Sequence, residues 1–226
     1  MSAIHLKPLV LIAALGAAGP GLTATSGYAE TWDTPGDLAG WFPNTVDSIV
    51  TNPGAGGNGG GFLETLRAGP FPIGAATDLA AATGSFAGQP WTAQVDLLGL
   101  GGASSDVWLR FRFQDATFNG WRYRLTDVLG DAWQTFSVGF DPGWTDAQAM
   151  ANGWQTDLPG GFASVSWAET MGDVYTTEIR IDGNASLAAG IDNFMLAAVP
   201  EPSSYALLGA GLLCVGGLAR RRMRGR

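Results

Sequence analysis

Val107-Trp108-Leu109-Arg110-Phe111-Arg112-Phe113 decides the fold class of this chain. Val107, Leu109, Phe111 and Phe113 alternate with Trp108, Arg110 and Arg112, so one side of an extended segment is apolar and the other polar. A period of two marks a half-buried β-strand, because successive side chains leave a strand on opposite faces. Phe118-Asn119-Gly120 predicts a turn, and Trp121, Tyr123 and Leu125 then alternate with Arg122 and Arg124, the returning strand of a hairpin. The arginines of both strands are expected to pair with acids elsewhere in the chain. Outward from the hairpin, residues 133–140, 174–181 and 191–196 read as further strands, with shorter candidates at 48–51, 61–66 and 91–97. No long stretch repeats apolar residues at helical spacing, and turn residues break the strands often. The expected fold is therefore all-β, a two-layer antiparallel sandwich.

The two ends of the chain read as addresses. Residues 1–7 are weakly basic, residues 8–18 are apolar, and Gly27-Tyr28-Ala29 is a small-x-small cleavage signal, so residues 1–29 are expected to be a secretory signal peptide. At the other end, Pro200-Glu201-Pro202 precedes an uncharged stretch at about 203–219, and Arg220, Arg221 and Arg222 follow it. Such a stretch is at the lower limit for a membrane-spanning helix, and the arginines hold its end on the cytoplasmic side. This order resembles the PEP-CTERM sorting signal of diderm bacteria. The resemblance implies processing by an exosortase-type membrane protease, a transient membrane anchor, and delivery from the inner membrane to the cell surface or extracellular matrix. The expected organisation is signal peptide 1–29, β-sandwich ectodomain 30–198 and sorting signal 199–226.

The ectodomain carries nineteen acids against six arginines, a net charge of −13, and no lysine. A surface of that sign repels nucleic acid, which is excluded as a partner. The single cysteine, Cys214, lies in the apolar tail and the single histidine, His5, in the leader. Serine–histidine and cysteine–histidine catalysis, and zinc sites of the usual ligands, are thereby removed. Only carboxylate chemistry is left. The glycine-rich segment 52–61 lacks the lysine and the strand-to-helix setting of a phosphate-binding loop.

All nine tryptophans fall inside the ectodomain. Trp108, Trp121, Trp133 and Trp167 are expected in the core. Trp144 and Trp154 lie in a long connection at 141–161, with a short helix expected at 146–151, and are candidates for a platform on which sugar rings stack. Asp141, Asp146 and Asn152 are their candidate polar neighbours.

Three pieces together resemble the laminin-B-like and carbohydrate-binding-module-like jelly rolls of exported bacterial proteins. They are Trp108 to Asp115, Trp133 to Val138 with Gly143-Trp144 following, and Val174 to Ile181 with Gly190-Ile191-Asp192-Asn193-Phe194-Met195-Leu196. The resemblance implies two antiparallel layers and, in many members, a structural calcium. Asp192 matches the final-strand ligand position, with Glu30, Asp33 and Asp37 available near the start; calcium takes six to eight oxygens. The expected function is a non-catalytic module that binds extracellular polysaccharide. One alternative is a glycoside hydrolase using a carboxylate pair drawn from Glu30, Glu64, Glu169, Glu178 and the aspartates, about 5–9 Å apart. The other is a purely structural component of an exopolysaccharide matrix.

Overall fold

The computed structural model describes residues 23–113, 119–157 and 164–199. The strands, in chain order, are β1 (Tyr28–Glu30), β2 (Trp41–Pro43), β3 (Ser48–Thr51), β4 (Leu63–Arg67), β5 (Ile73–Thr77) and β6 (Trp91–Gly101). There follow β7 (Ser104–Phe113), β8 (Gly120–Thr126), β9 (Gln134–Phe140), β10 (Trp154–Asp157), β11 (Val174–Gly183) and β12 (Ala188–Ala198). Two short helices, α1 (Asp146–Ala151) and α2 (Trp167–Gly172), flank β10. The first sheet runs β3-β4-β12-β6-β9, with β1 also on β12; the second runs β10-β8-β7-β11-β5-β2. Every strand pairing is antiparallel, so the chain is the two-layer sandwich that the alternation implied.

The register shows why. Phe111 pairs with Trp121 on β8 and Thr177 on β11, and Leu109 with Tyr123 and Ile179, so the apolar sides of three strands share one face. From the other sheet Trp91, Ala93, Val95 and Leu97 of β6 and Ile191, Phe194 and Leu196 of β12 meet them. Aromatic rings knit the layers: Phe111 lies 5.5 Å from Trp154 and nearly parallel to it, and 5.0 Å from Phe140. Trp154 meets Trp167 edge-on at 5.0 Å. Offset and edge-to-face contacts of this kind add to the burial of the rings themselves.

Helix α1 forms where the sequence places it, and its start explains it. The Thr145 side chain accepts from the Gln148 N–H while Gln148 reaches back to the Thr145 N–H, a capping box that satisfies two otherwise orphaned donors. Ser166 and Glu169 do the same for α2, which the hydrophobic pattern does not reveal. The expected 141–161 connection is thus largely structured, and it contains β10, which pairs with β8 through Trp154↔Tyr123.

Residues 23–29, expected in the leader, are part of the sandwich: Tyr28 and Ala29 pair with Leu196 and Met195. The apolar stretch at 203–219 and the motifs around it lie outside the described residues. Among the described residues no helix is long and apolar enough to cross a membrane.

Candidate functional site

Three surface regions gather chemistry. The first is an open groove of about 500 Å³ lined by Trp144, Asp141 and Asn152 together with Pro90, Thr92 and Val199. Three of the five expected glycan contacts therefore share one wall system. Trp144 is half-buried and leans on Trp167, 6.0 Å away at 30° between planes. Trp167 is fully buried and donates its indole N–H to the Asp141 carbonyl at 2.9 Å. Asp141 also orients the turn, accepting from the Gly143 N–H at 2.8 Å through its side chain and from the Trp144 N–H at 3.0 Å through its carbonyl. The groove thus has a rigid ring, backed by core, with a carboxylate and an amide beside it.

Two members of the expected set are elsewhere. Asp146 stands in the first turn of α1, where its carboxylate accepts from the Trp167 N–H at 2.7 Å, so it braces the ring behind Trp144 and is not among the groove's lining residues. Trp154 is only 1% exposed, because β10 turns its ring inward onto Phe111 and Phe140. It is core, and the expected two-ring platform is a single ring.

The second region is the outer face of the second sheet. Five of the ectodomain's six arginines lie there, and the expectation that they pair with acids holds. Register places Arg110 opposite both Arg122 and Glu178. Like charges directly opposite on neighbouring strands repel, so the face needs carboxylates between them. Asp157 on β10 takes the Arg110 fork, with Arg122 Nη1 at 3.8 Å, while Glu178 takes Arg110 at 3.0 Å and Arg112 at 2.9 Å. Arg124 pairs with Asp106 and Asp127, and Arg180 with Asp182. Burial lowers the Arg110 guanidinium from its usual value; Glu178 and Asp157 oppose that shift, and Arg112 and Arg180 add to it. Trp108, expected in the core, is buried but outside the inter-sheet cluster, on this outer face, covered by the Arg122 guanidinium 4.1 Å above its ring.

The third region lies on the outer face of the first sheet, beneath the glycine-rich loop. Asp96 and Asp192 are both buried there. Asn58 donates its backbone N–H to Asp192 at 2.6 Å and its side-chain amide to Asp96 at 2.7 Å. Asn193, held at φ +49° at a break in the β12–β6 register, donates to Asp96 at 2.8 Å and to the Asn58 carbonyl at 3.0 Å. Burial pushes the Asp192 carboxyl above its ordinary value; the N–H groups of Asn193 and Asn58 oppose this, and nearby Asp96 and Asp33 add to it. Trp133, also expected in the core, lies partly exposed over this loop, edge-on to Phe62 at 5.6 Å and donating to the Gly56 carbonyl. A Cβ on Gly190 would come within 2.7 Å of the Trp133 ring, so glycine is what lets the indole lie down.

The four calcium candidates do not all line one pocket. Glu30, Asp33 and Asp37 line a small pocket of about 180 Å³, but Asp192 is not among its lining residues. Glu30 is taken by the N–H groups of Thr31 and Trp32, Asp37 by that of Ala39, and Asp33 by the Thr31 hydroxyl. The Asp192 carboxylate accepts the N–H groups of Asn58 and Asn193, with the Asp96 and Asp33 carboxylates nearby. Among the described residues no three acidic, histidine or cysteine side chains are arranged to hold a metal. Of the glutamates of the hydrolase alternative, Glu178 sits in the arginine network, and Glu169, held below its ordinary value by Ser166, caps α2.

Residues 198–222 match the PEP-CTERM protein-sorting motif. No curated protein matches the chain. Solved structures share its fold. A xylan-binding domain from Paenibacillus barcinonensis superimposes with a TM-score of 0.50 at 12% identity, over 79% of this chain and 99% of that one. The family 11 carbohydrate-binding module of a Clostridium thermocellum cellulosomal cellulase gives 0.51 at 14% identity, over 79% and 98%. An N-terminal xylanase fragment of Clostridium thermocellum, solved with xylohexaose, gives 0.51 at 16% identity, over 77% of this chain and 29% of that one. The described residues form a carbohydrate-binding-module-like jelly roll, and the chain carries the sorting motif at 198–222.

Proposed function

We propose that this protein is exported, sorted through its C-terminal motif by an exosortase-type protease, and binds an extracellular polysaccharide through the Trp144 groove without catalysing a reaction on it. The observation that carries this reading is the half-exposed Trp144 ring, fixed from behind by Trp167 and flanked by Asp141 and Asn152 in one open groove. Sugar rings present apolar C–H faces to an aromatic plane, and their hydroxyls hydrogen-bond carboxylate and amide groups. A preorganised ring loses little freedom on binding, which favours affinity. Matches in fold to a xylan-binding domain and to a family 11 carbohydrate-binding module solved with a β-1,3-1,4-mixed-linked tetrasaccharide support a glycan as the ligand class, and the sorting motif supports a location where such polymers occur.

The test is a titration of the protein with xylohexaose, a mixed-linked β-glucan and the producing cell's own exopolysaccharide, followed by tryptophan fluorescence and thermal melting. The reading expects saturable binding to at least one of them, lost in Trp144→Ala. Saturable binding untouched by that substitution would move the site elsewhere. No binding to any of the three, with self-association instead, would leave the matrix-component alternative.

A further inference from the structure

Seven residues expected in the export leader are built into the sandwich. Tyr28, Ala29 and Glu30 form β1 and pair with Leu196, Met195 and Phe194 in the middle of the long strand β12. The Gly27 N–H donates to the Leu196 carbonyl at 2.9 Å, and the Ser26 hydroxyl accepts from the Ala198 N–H at 3.0 Å. Upstream, Thr25 and Ala24 donate to the carbonyls of Ala81 and Ser85, each at 3.0 Å, and Thr23 forms a parallel bridge to Ser85. The side chains join in as well. Tyr28 packs against the core beside Phe194, and its hydroxyl accepts from the indole N–H of Trp41 at 3.1 Å. Trp41 is 2% exposed, so that donor has no water to turn to.

A cut after Ala29 removes all of this. Trp41 keeps a buried N–H without its acceptor, which costs the full desolvation of that group. The β12 backbone at 194–196 loses its neighbour and becomes an open edge. A signal in the sequence offers another place to cut. Gly16-Ala17-Ala18 is also small-x-small, and it leaves residues 8–15 as an apolar run of eight, within the 7–15 that an export signal needs.

We propose that the leader is cleaved between Ala18 and Gly19, upstream of Thr23, and that residues 23–29 remain in the exported protein as the strand that closes β12. The step is a peptide hydrolysis by the export signal peptidase: water adds across the Ala18–Gly19 bond, leaving a carboxylate on Ala18 and an amine on Gly19. Gly27-Tyr28-Ala29 then matches the cleavage pattern without being used and is kept as part of the strand that pairs with β12.

N-terminal sequencing and intact mass of the full chain exported from a diderm host decide the matter. The expected N-terminus is Gly19, eleven residues longer than a product starting at Glu30. A start at Gly19 supports the proposal; an uncleaved start at Met1 or any other start, Glu30 above all, overturns it. A pair of variants gives an independent reading, since Ala29 is exposed on β1 and accepts a larger side chain there. Ala29→Lys is expected to be processed like the parent and Ala18→Lys to accumulate as precursor on an immunoblot. Accumulation of the Ala29→Lys precursor would contradict the proposal.

Discussion

The outer face of the second sheet and the groove beside Trp144 both frame a tryptophan with charged and polar groups, but on the sheet an arginine covers the ring and at the groove the ring lines an open cleft. On the sheet, Trp108 is covered by Arg122, its N–H is taken by Asp182, and every neighbouring arginine named above has a carboxylate. Strand register put those groups in contact, and the chain answers its own charges. At the groove, Trp144 sits on a turn between β9 and α1, where among the described residues no opposing strand pairs with it. An aromatic residue on a sheet is readily covered by its cross-strand neighbours; one held up by a capped helix and a buried ring behind it stays open. A tryptophan-rich composition alone does not separate the two cases.

The sharpest way to break this contrast is to unbalance the closed face. Arg110→Ala leaves Asp157 and Glu178 buried with their principal cation gone, and the cost is expected at about 3–5 kcal/mol. Urea denaturation should show the lowered midpoint, while the folded fraction keeps its glycan affinity. A drop in affinity with unchanged stability would mean the face is a binding site and not a brace.

The two tryptophans of the 141–161 segment extend the comparison. Trp154→Ala empties a site between Phe111, Phe140 and Trp167 and should cost about 3–5 kcal/mol. Trp144→Ala should cost about 1 kcal/mol, the centre of the range for point substitutions, and remove binding. Thermal melts of the two proteins, side by side, check the split.

Gly190→Ala forces the Trp133 ring off the first sheet, with an expected loss of about 1–3 kcal/mol and a change in Trp133 emission. Retained stability and emission would show that the ring yields freely.

The smallest effect is one of pH. The folded Asp192 carboxyl has a raised affinity for its proton, so its contribution to stability grows as pH falls through that raised value towards the ordinary carboxylate range, and is least at neutral pH. Glu169 has the opposite sign: its contribution is present above the ordinary value and is lost as pH falls through the lowered one. The melting temperature of the parent relative to Asp192→Asn should therefore rise on acidification, and relative to Glu169→Gln should fall. Two differences moving the same way would contradict the assignment.

Much of the fold was legible because a strand between core and solvent writes its position as alternation, as residues 107–113 and 121–125 do. Strand β5 was not, since Ile73-Gly74-Ala75-Ala76-Thr77 is buried throughout and alternates nothing. Strand β10 escaped because four residues are too few to show a period, and with it went the true place of Trp154. The site was half legible for a related reason. Trp144, Asp141 and Asn152 stand on a connection whose capped helix could be read locally. The partners of Arg110 lie 47 and 68 residues away, at Asp157 and Glu178, and only the assembled sheet brings them together. The usual place of tryptophan in a β-sandwich is the core, yet Trp133 and Trp108 lie on outer faces, one partly exposed over a glycine-rich loop and one buried under arginines.

The central claim, that the groove binds and the arginine face does not, is tested most directly by calorimetric titration of one glycan into two variants. The glycan is whichever of the three binds the parent protein best. Trp144→Ala is expected to lose binding while Arg122→Ala, which uncovers Trp108, keeps the parent's affinity. Lost binding in Arg122→Ala with normal affinity in Trp144→Ala would reverse the assignment of the two surfaces.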